Sequence, residues 1–265
     1  MENSISTLIQ ACQWFPSNFL IFSQNVYQPF VYYSYFGSAI PALFIGIFIY
    51  LKNKKDLSSR LLFCSILSFC IWIFCNFVLW ATEFPSYTMF FWALINLFEP
   101  FVYFFAFYFV YTFLFKKDLN LKNKILSVIP MLPIILLTPT KWAILGFNLS
   151  NCDRAAVEGI TAFYGYGIEI LYTLLILIVF FISHRKKDMD PEEKKRNTLL
   201  VLAVIFFLVS LSLGNILESV TDNWYIGQAG LLGVPIFVGL LSFIMVRFKA
   251  FNAKFISIWI FVISL

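Results

Sequence analysis

The stretch "FFWALINLFEPFVYFFAFYFVYTFLFKKD", residues 90–118, decides what kind of protein this is. Its apolar run extends from 88 to 115, holds one acidic side chain, Glu99, and ends abruptly on Lys116 and Lys117. A helix bathed in water keeps a polar face along its length, whereas a helix that is apolar all round belongs in lipid. Roughly 20 residues cross the hydrocarbon core of a bilayer, so this run is long enough to tilt or protrude. The rest of the chain agrees. Apolar residues make up 61% of it and charged residues 12%, with a mean hydropathy of +0.84. Soluble domains sit near half apolar and a quarter charged. The fold class is therefore an all-α polytopic membrane protein. The 34 phenylalanines reflect AT-rich coding rather than an aromatic binding surface.

Working outward, seven apolar segments can be marked: 30–51, 61–81, 88–115, 124–140, 164–183, 198–217 and 226–246. The fourth, "KILSVIPMLPIILLTPT", is short and carries Pro130 and Pro133. The basic residues fall in alternate loops. Lys52, Lys54, Lys55 and Arg60 are followed by Lys116, Lys117, Lys122 and Lys124, then by six in "HRKKDMDPEEKKRN", and last by Arg247, Lys249 and Lys254. That places 17 of the 19 lysines and arginines on one face, leaving only Lys141 and Arg154 on the other. Positive loops stay cytoplasmic. The expectation is a seven-transmembrane helix bundle with its N-terminus outside. Residues 1–29 hold no Lys or Arg, so they lack the basic start of a signal peptide and read as an extracytoplasmic tail. Residues 30–246 form the membrane domain, and 247–265 a cytoplasmic turn opening an incomplete apolar segment. Asp190, Pro191 and Glu193 spell the capping-box start of the sixth helix.

Several chemistries are excluded. The chain has one histidine, His184, beside a basic run. It cannot ligate haem through two histidines or supply the base of an intramembrane serine protease, and zinc sites of His and Cys fail likewise. Every lysine lies in a loop, so a retinal Schiff base has no anchor. No cofactor or metal is expected, no catalytic residue is assigned, and the net charge of +5 records one-sided loops rather than nucleic-acid binding. Cys64, Cys70 and Cys75 share the second segment and read as small packing residues. Cys12 and Cys152 both fall outside, where a disulfide between them is permitted.

Polar groups inside the segments are few. A charged side chain near the bilayer centre costs at least about 2–3 kcal/mol, so such residues face protein or water. Trp92, Asn96, Glu99 and Tyr103 recur at helical spacing and share a face, and Pro100 frees the Asn96 carbonyl. Glu169 with Tyr172 lies in the fifth segment, Asn76 in the second, and Asn215 and Glu218 close the sixth. All fall toward the outer half. Two readings stay open: a ligand pocket open to the outside between segments two, three, five and six, or interhelical hydrogen bonds alone. Gly227, Gly230 and Gly233 make a small-residue face for close packing.

The C-terminal part, from "KKRNTLLVLAVIFFLVSLSLGNILES" through "GQAGLLGVPIFVGLLSFIMVRFKAFNAKFIS", resembles the N-terminal seven-transmembrane region of bacterial histidine kinases. Arg247, Phe248, Lys249, Phe251 and Asn252 stand where that family carries its aromatic-basic exit turn. Ser242 and Phe243 depart from the start of that stretch, and Asn252 replaces the usual aspartate. The third segment with its internal proline is also similar, and the resemblance spans about 30–256. It implies a non-enzymatic sensor of a two-component system, in which a small-molecule or membrane-state signal moves a helix. The movement passes through the cytoplasmic turn 247–254 to an output on a missing segment or another chain, and a homodimer is one state open to the chain. The final run "FISIWIFVISL" is too short to cross, so a truncated or separated sensor is expected. The alternative is a small transporter or lipid-associated carrier.

Overall fold

A computed structural model describes residues 29–82, 84–148, 155–185, 189–221, 223–248 and 250–252. The proposed Cys12–Cys152 pair, Lys249, the Asn252 side chain and the final apolar run lie outside them. Long helices run Pro29–Lys52 (α1), Leu57–Ala81 (α2) and Pro85–Phe115 (α3). Short helices Leu121–Val128 (α4) and Leu132–Leu137 (α5) follow, then a hairpin of Ile144–Asn148 (β1) and Ala155–Glu158 (β2). The chain closes with Ile160–His184 (α6), Pro191–Thr221 (α7), Trp224–Gly227 (α8) and Gly233–Phe248 (α9). Six helical stretches, among them all of α2, α3 and α6, are long and apolar enough to cross a membrane.

Local chemistry sets the boundaries. Asp56 caps α2, accepting from the Ser59 N–H at 2.9 Å and its hydroxyl at 2.8 Å. Pro85 occupies the first turn of α3, where a missing N–H costs nothing. That helix runs through Pro100 and stops at Lys116, in the left-handed region with φ 53°. Asp190 starts α7 by accepting from the Glu193 N–H at 3.3 Å. The capping box itself is not completed. The Glu193 carboxylate turns instead to Lys116 at 2.5 Å and Arg196 at 3.0 Å, because two cations attract it more than one exposed N–H.

The fourth apolar segment is helical from 121 to 137, but in three pieces, with a 3₁₀ turn at Ile129–Met131 between α4 and α5. Pro133 cannot donate to the Ile129 carbonyl, and the Leu132 N–H takes it over, tightening the turn. Two tyrosines of α6 brace the joint: Tyr172 donates to the Ser127 carbonyl at 2.6 Å and Tyr164 to the Pro130 carbonyl at 2.9 Å.

The core is aromatic. Tyr32, Phe69, Trp80, Tyr103, Phe109 and Tyr172 are fully buried, and Phe207 bridges Phe69 and Phe237 at centroid distances of 5.4 and 5.1 Å. On the outer surface Phe44, Leu67, Phe74, Ile178, Phe181 and Leu202 stay exposed, an apolar belt suited to acyl chains. Gly227, Gly230 and Gly233 pack against α7 as expected, Gly227 on Glu218, Gly230 on Ser210 and Gly214, and Gly233 on Ser210 and Phe207. A Cβ on Gly230 would sit 2.6 Å from the Ser210 carbonyl oxygen, and one on Gly214 2.7 Å from that of Gly227.

The basic loops meet at one end of the bundle. Lys116 reaches Glu193 across two of them, the Arg196 guanidinium lies 5.4 Å from the Phe113 ring, and the Asn53 amide donates to the Phe251 carbonyl. The β1–β2 hairpin lies at the start of α6 and thus at the opposite end, with Gly159 N–H bonded to Ala143 O at 2.8 Å. The chain between Lys124 and Ala143 therefore travels from one end to the other.

Candidate functional site

Three helices converge on two carboxyl groups. Glu99 of α3 is 8% exposed and Glu169 of α6 only 2%, and each takes a hydrogen bond from a side chain of α7. The Asn215 amide of α7 donates to Glu99. The Ser212 hydroxyl, one turn earlier on α7, donates to Glu169 at 2.6 Å. Tyr103 of α3 completes the set, 2.7 Å from the Ser212 oxygen and 3.1 Å from the Leu208 carbonyl. The spacing explains this convergence. Glu99 and Tyr103 lie one helical turn apart on α3, as Ser212 and Asn215 do on α7, and the two helices run antiparallel.

The depth is set by the basic ends. Glu99 lies 17 residues before Lys116, about 25 Å at 1.5 Å per residue. Measured from the basic end, the pair thus falls in the far third of a core about 30 Å thick. At that depth an unpaired polar group is costly, so the cluster holds its three helices in one arrangement. Among the described residues, Glu99, Tyr103, Glu169, Ser212 and Asn215 meet by direct hydrogen bonds.

A second polar group lies nearby. Ser34 donates to the Gln228 side-chain oxygen at 2.6 Å, the Gln228 amide donates to Tyr35 OH at 3.4 Å, and Tyr35 OH donates to Asn76 Oδ1 at 3.4 Å. The Asn76 amide in turn bonds the Trp72 carbonyl at 3.0 Å. This chain ties α1 and α2 to the turn before α9. Glu218 is half-buried with its carboxylate over Gly227.

Of the residues singled out in the sequence, Glu99, Tyr103, Glu169 and Asn215 come together. Asn76 belongs to the second group. Trp92 and Asn96 are half-buried on the same helix as Glu99, toward its N-terminal end. Tyr172 is not part of the cluster: its ring packs on Phe104 and Phe107 and its hydroxyl serves the fourth segment. Ser34, Tyr35, Ser212 and Gln228 were not anticipated, because single hydroxyls and amides in apolar helices carry no positional signal. At the other end, the Arg247 guanidinium lies 5.9 Å from the Phe248 ring. Phe251 takes up φ 59°, its ring 5.5 Å from Phe113 and 6.4 Å from Phe109.

The cluster can store or release a proton, or exchange its internal bonds for bonds to a small polar ligand. Either event changes how α7 is tied to α3 and α6. Comparison with family models, with curated proteins and with solved structures finds no match.

Proposed function

We propose that the chain is a signal-sensing module of a bacterial cytoplasmic membrane, crossing it seven times with its N-terminus outside and its basic end in the cytosol. The carrying observation is the Glu99–Glu169 pair, which ties α3 and α6 to Ser212 and Asn215 of α7. A protonation change or a polar ligand that breaks those ties frees α7 to shift. Glycine-to-glycine packing leaves no slack between α7 and the 227–233 segment, so the shift passes to α9 and the exit turn 247–252. An output domain on a further segment or another chain would read that turn, as in the histidine-kinase sensor regions that the sequence resembles. No catalysis is assigned to the module. A signal must bind the two arrangements unequally to move the balance between them.

The test is a cysteine pair at positions 53 and 251 in a background without other cysteines. Crosslinking should change in rate when the external medium is acidified. It should not change in Glu99→Gln/Glu169→Gln, which keeps the hydrogen-bonding shape without the titratable protons. A rate that responds identically in both backgrounds refutes the proposal. The same acid pair supports a second reading, a proton-coupled carrier, since intramembrane carboxyls also form proton relays. Acid-driven solute uptake into vesicles containing the protein would favour that reading.

A further inference from the structure

A cavity of about 550 Å³ opens at the basic end, walled by the α1–α2 loop, the end of α3, the start of α7 and the exit turn. Its lining includes Asn53, Ser58, Lys116, Lys117, Arg196 and Phe251. The two acids in its wall are already engaged. Asp56 caps α2 through Ser59, and Asp118 accepts from Tyr108 and from Lys124 at 2.5 Å. The cations are less satisfied. Lys116 and Arg196 share the single carboxylate of Glu193, and Lys117 has no carboxylate partner among the described residues, its ammonium 5.9 Å from the Phe115 ring. Arg196 is already oriented. Its ring contact with Phe113 and its Nη2 bonds to Glu193 and Asn197 leave Nη1 without a protein partner among the described residues.

Height matters as much as charge. Asn53 follows the last residue of α1, Lys116 ends α3, and Arg196 comes two residues before the apolar run at 198. The cavity mouth therefore lies at the edge of the apolar belt, the level of lipid phosphates. A planar guanidinium with a free arm beside an exposed ammonium is the donor set that grips a phosphate oxyanion. The volume falls in the range of small-ligand sites, about 300–1,000 Å³.

We propose that this cavity binds a phosphate group of net negative charge, held by Arg196 and Lys117 with Lys116 beside them. The group would come from an anionic lipid headgroup or a soluble phosphate. The proposal concerns binding and stands whether or not the carboxyl cluster senses a signal. Its test uses the full chain in detergent, with bound lipid counted by native mass spectrometry after exposure to phosphatidylglycerol or phosphatidylcholine. Retention of phosphatidylglycerol should exceed that of phosphatidylcholine several-fold, unless inorganic phosphate displaces it, which would identify the soluble source. Lys117→Gln should weaken the preference without touching the Arg196 stack, and Lys117→Gln/Arg196→Gln should abolish it. Lys122→Gln, outside the cavity, should leave it unchanged. Equal retention of both lipids with no effect of phosphate overturns the proposal. So does a preference that survives the double variant in a protein of unaltered melting temperature.

Discussion

Glu99 and Glu169 show what a single polar atom is worth away from water. Each carboxyl takes a donor from α7, so the chemistry of two residues fixes the position of a helix. Glu99→Gln keeps an acceptor for the Asn215 amide and should alter stability by less than about 1 kcal/mol. Glu99→Leu strands that amide and should cost about 1–3 kcal/mol; thermal unfolding in detergent distinguishes the two. At the basic end the balance is set by charge. The bonds from Lys124, and then from Tyr108, hold the Asp118 carboxyl below the usual carboxylate range. A depressed folded-state pKa stabilises the fold above the unfolded value, about 3.9, and that gain is lost as pH falls through the folded value. The melting temperature of Lys124→Gln should therefore lie slightly below wild type at neutral pH and converge with it in strong acid. The gap is small because both side chains are exposed to water. The carboxyls were legible in the sequence because acids are rare in apolar helices. Ser212 and Ser34 were not, since a hydroxyl there usually bonds its own helix, and only the fold shows that theirs reach across.

At the scale of elements, α7 and the 227–233 segment behave as one body because nothing larger than hydrogen separates them. Gly230→Ala would drive a methyl into a backbone oxygen and should cost about 1–3 kcal/mol. Gly239→Ala, whose methyl would meet nothing beyond its own helix within 4 Å, should be neutral in the same unfolding assay. The glycine spacing announced this packing, but Gly214 as its partner could not be found without knowing how the helices are set. The fourth segment was legible in its prolines and not in its brace. Removing two N–H donors predicts weakness, and the remedy comes from Tyr164 and Tyr172, 34 and 45 residues away. Tyr164→Phe/Tyr172→Phe should loosen 121–137 selectively, seen as faster hydrogen exchange there with α2 and α3 unchanged.

At the scale of the whole molecule, segregated charge organises everything else. Counting lysines and arginines loop by loop was enough to predict that they share a face, and the four basic loops do converge. What the count could not give is how they touch: the Asn53–Phe251 bond, the Glu193 bridge and the cavity they enclose arise from contacts between loops far apart in sequence. The cytosolic placement of that end, and a fourth segment that crosses, are the central claim. Single cysteines at Lys55, Lys117, Lys194, Tyr87 and Trp142, in a chain without its native cysteines, would be exposed to a membrane-impermeant maleimide on intact cells. The account predicts labelling at 87 and 142 in intact cells, and at 55, 117 and 194 only after permeabilisation. Labelling at 117 in intact cells, or protection at 142, would contradict it.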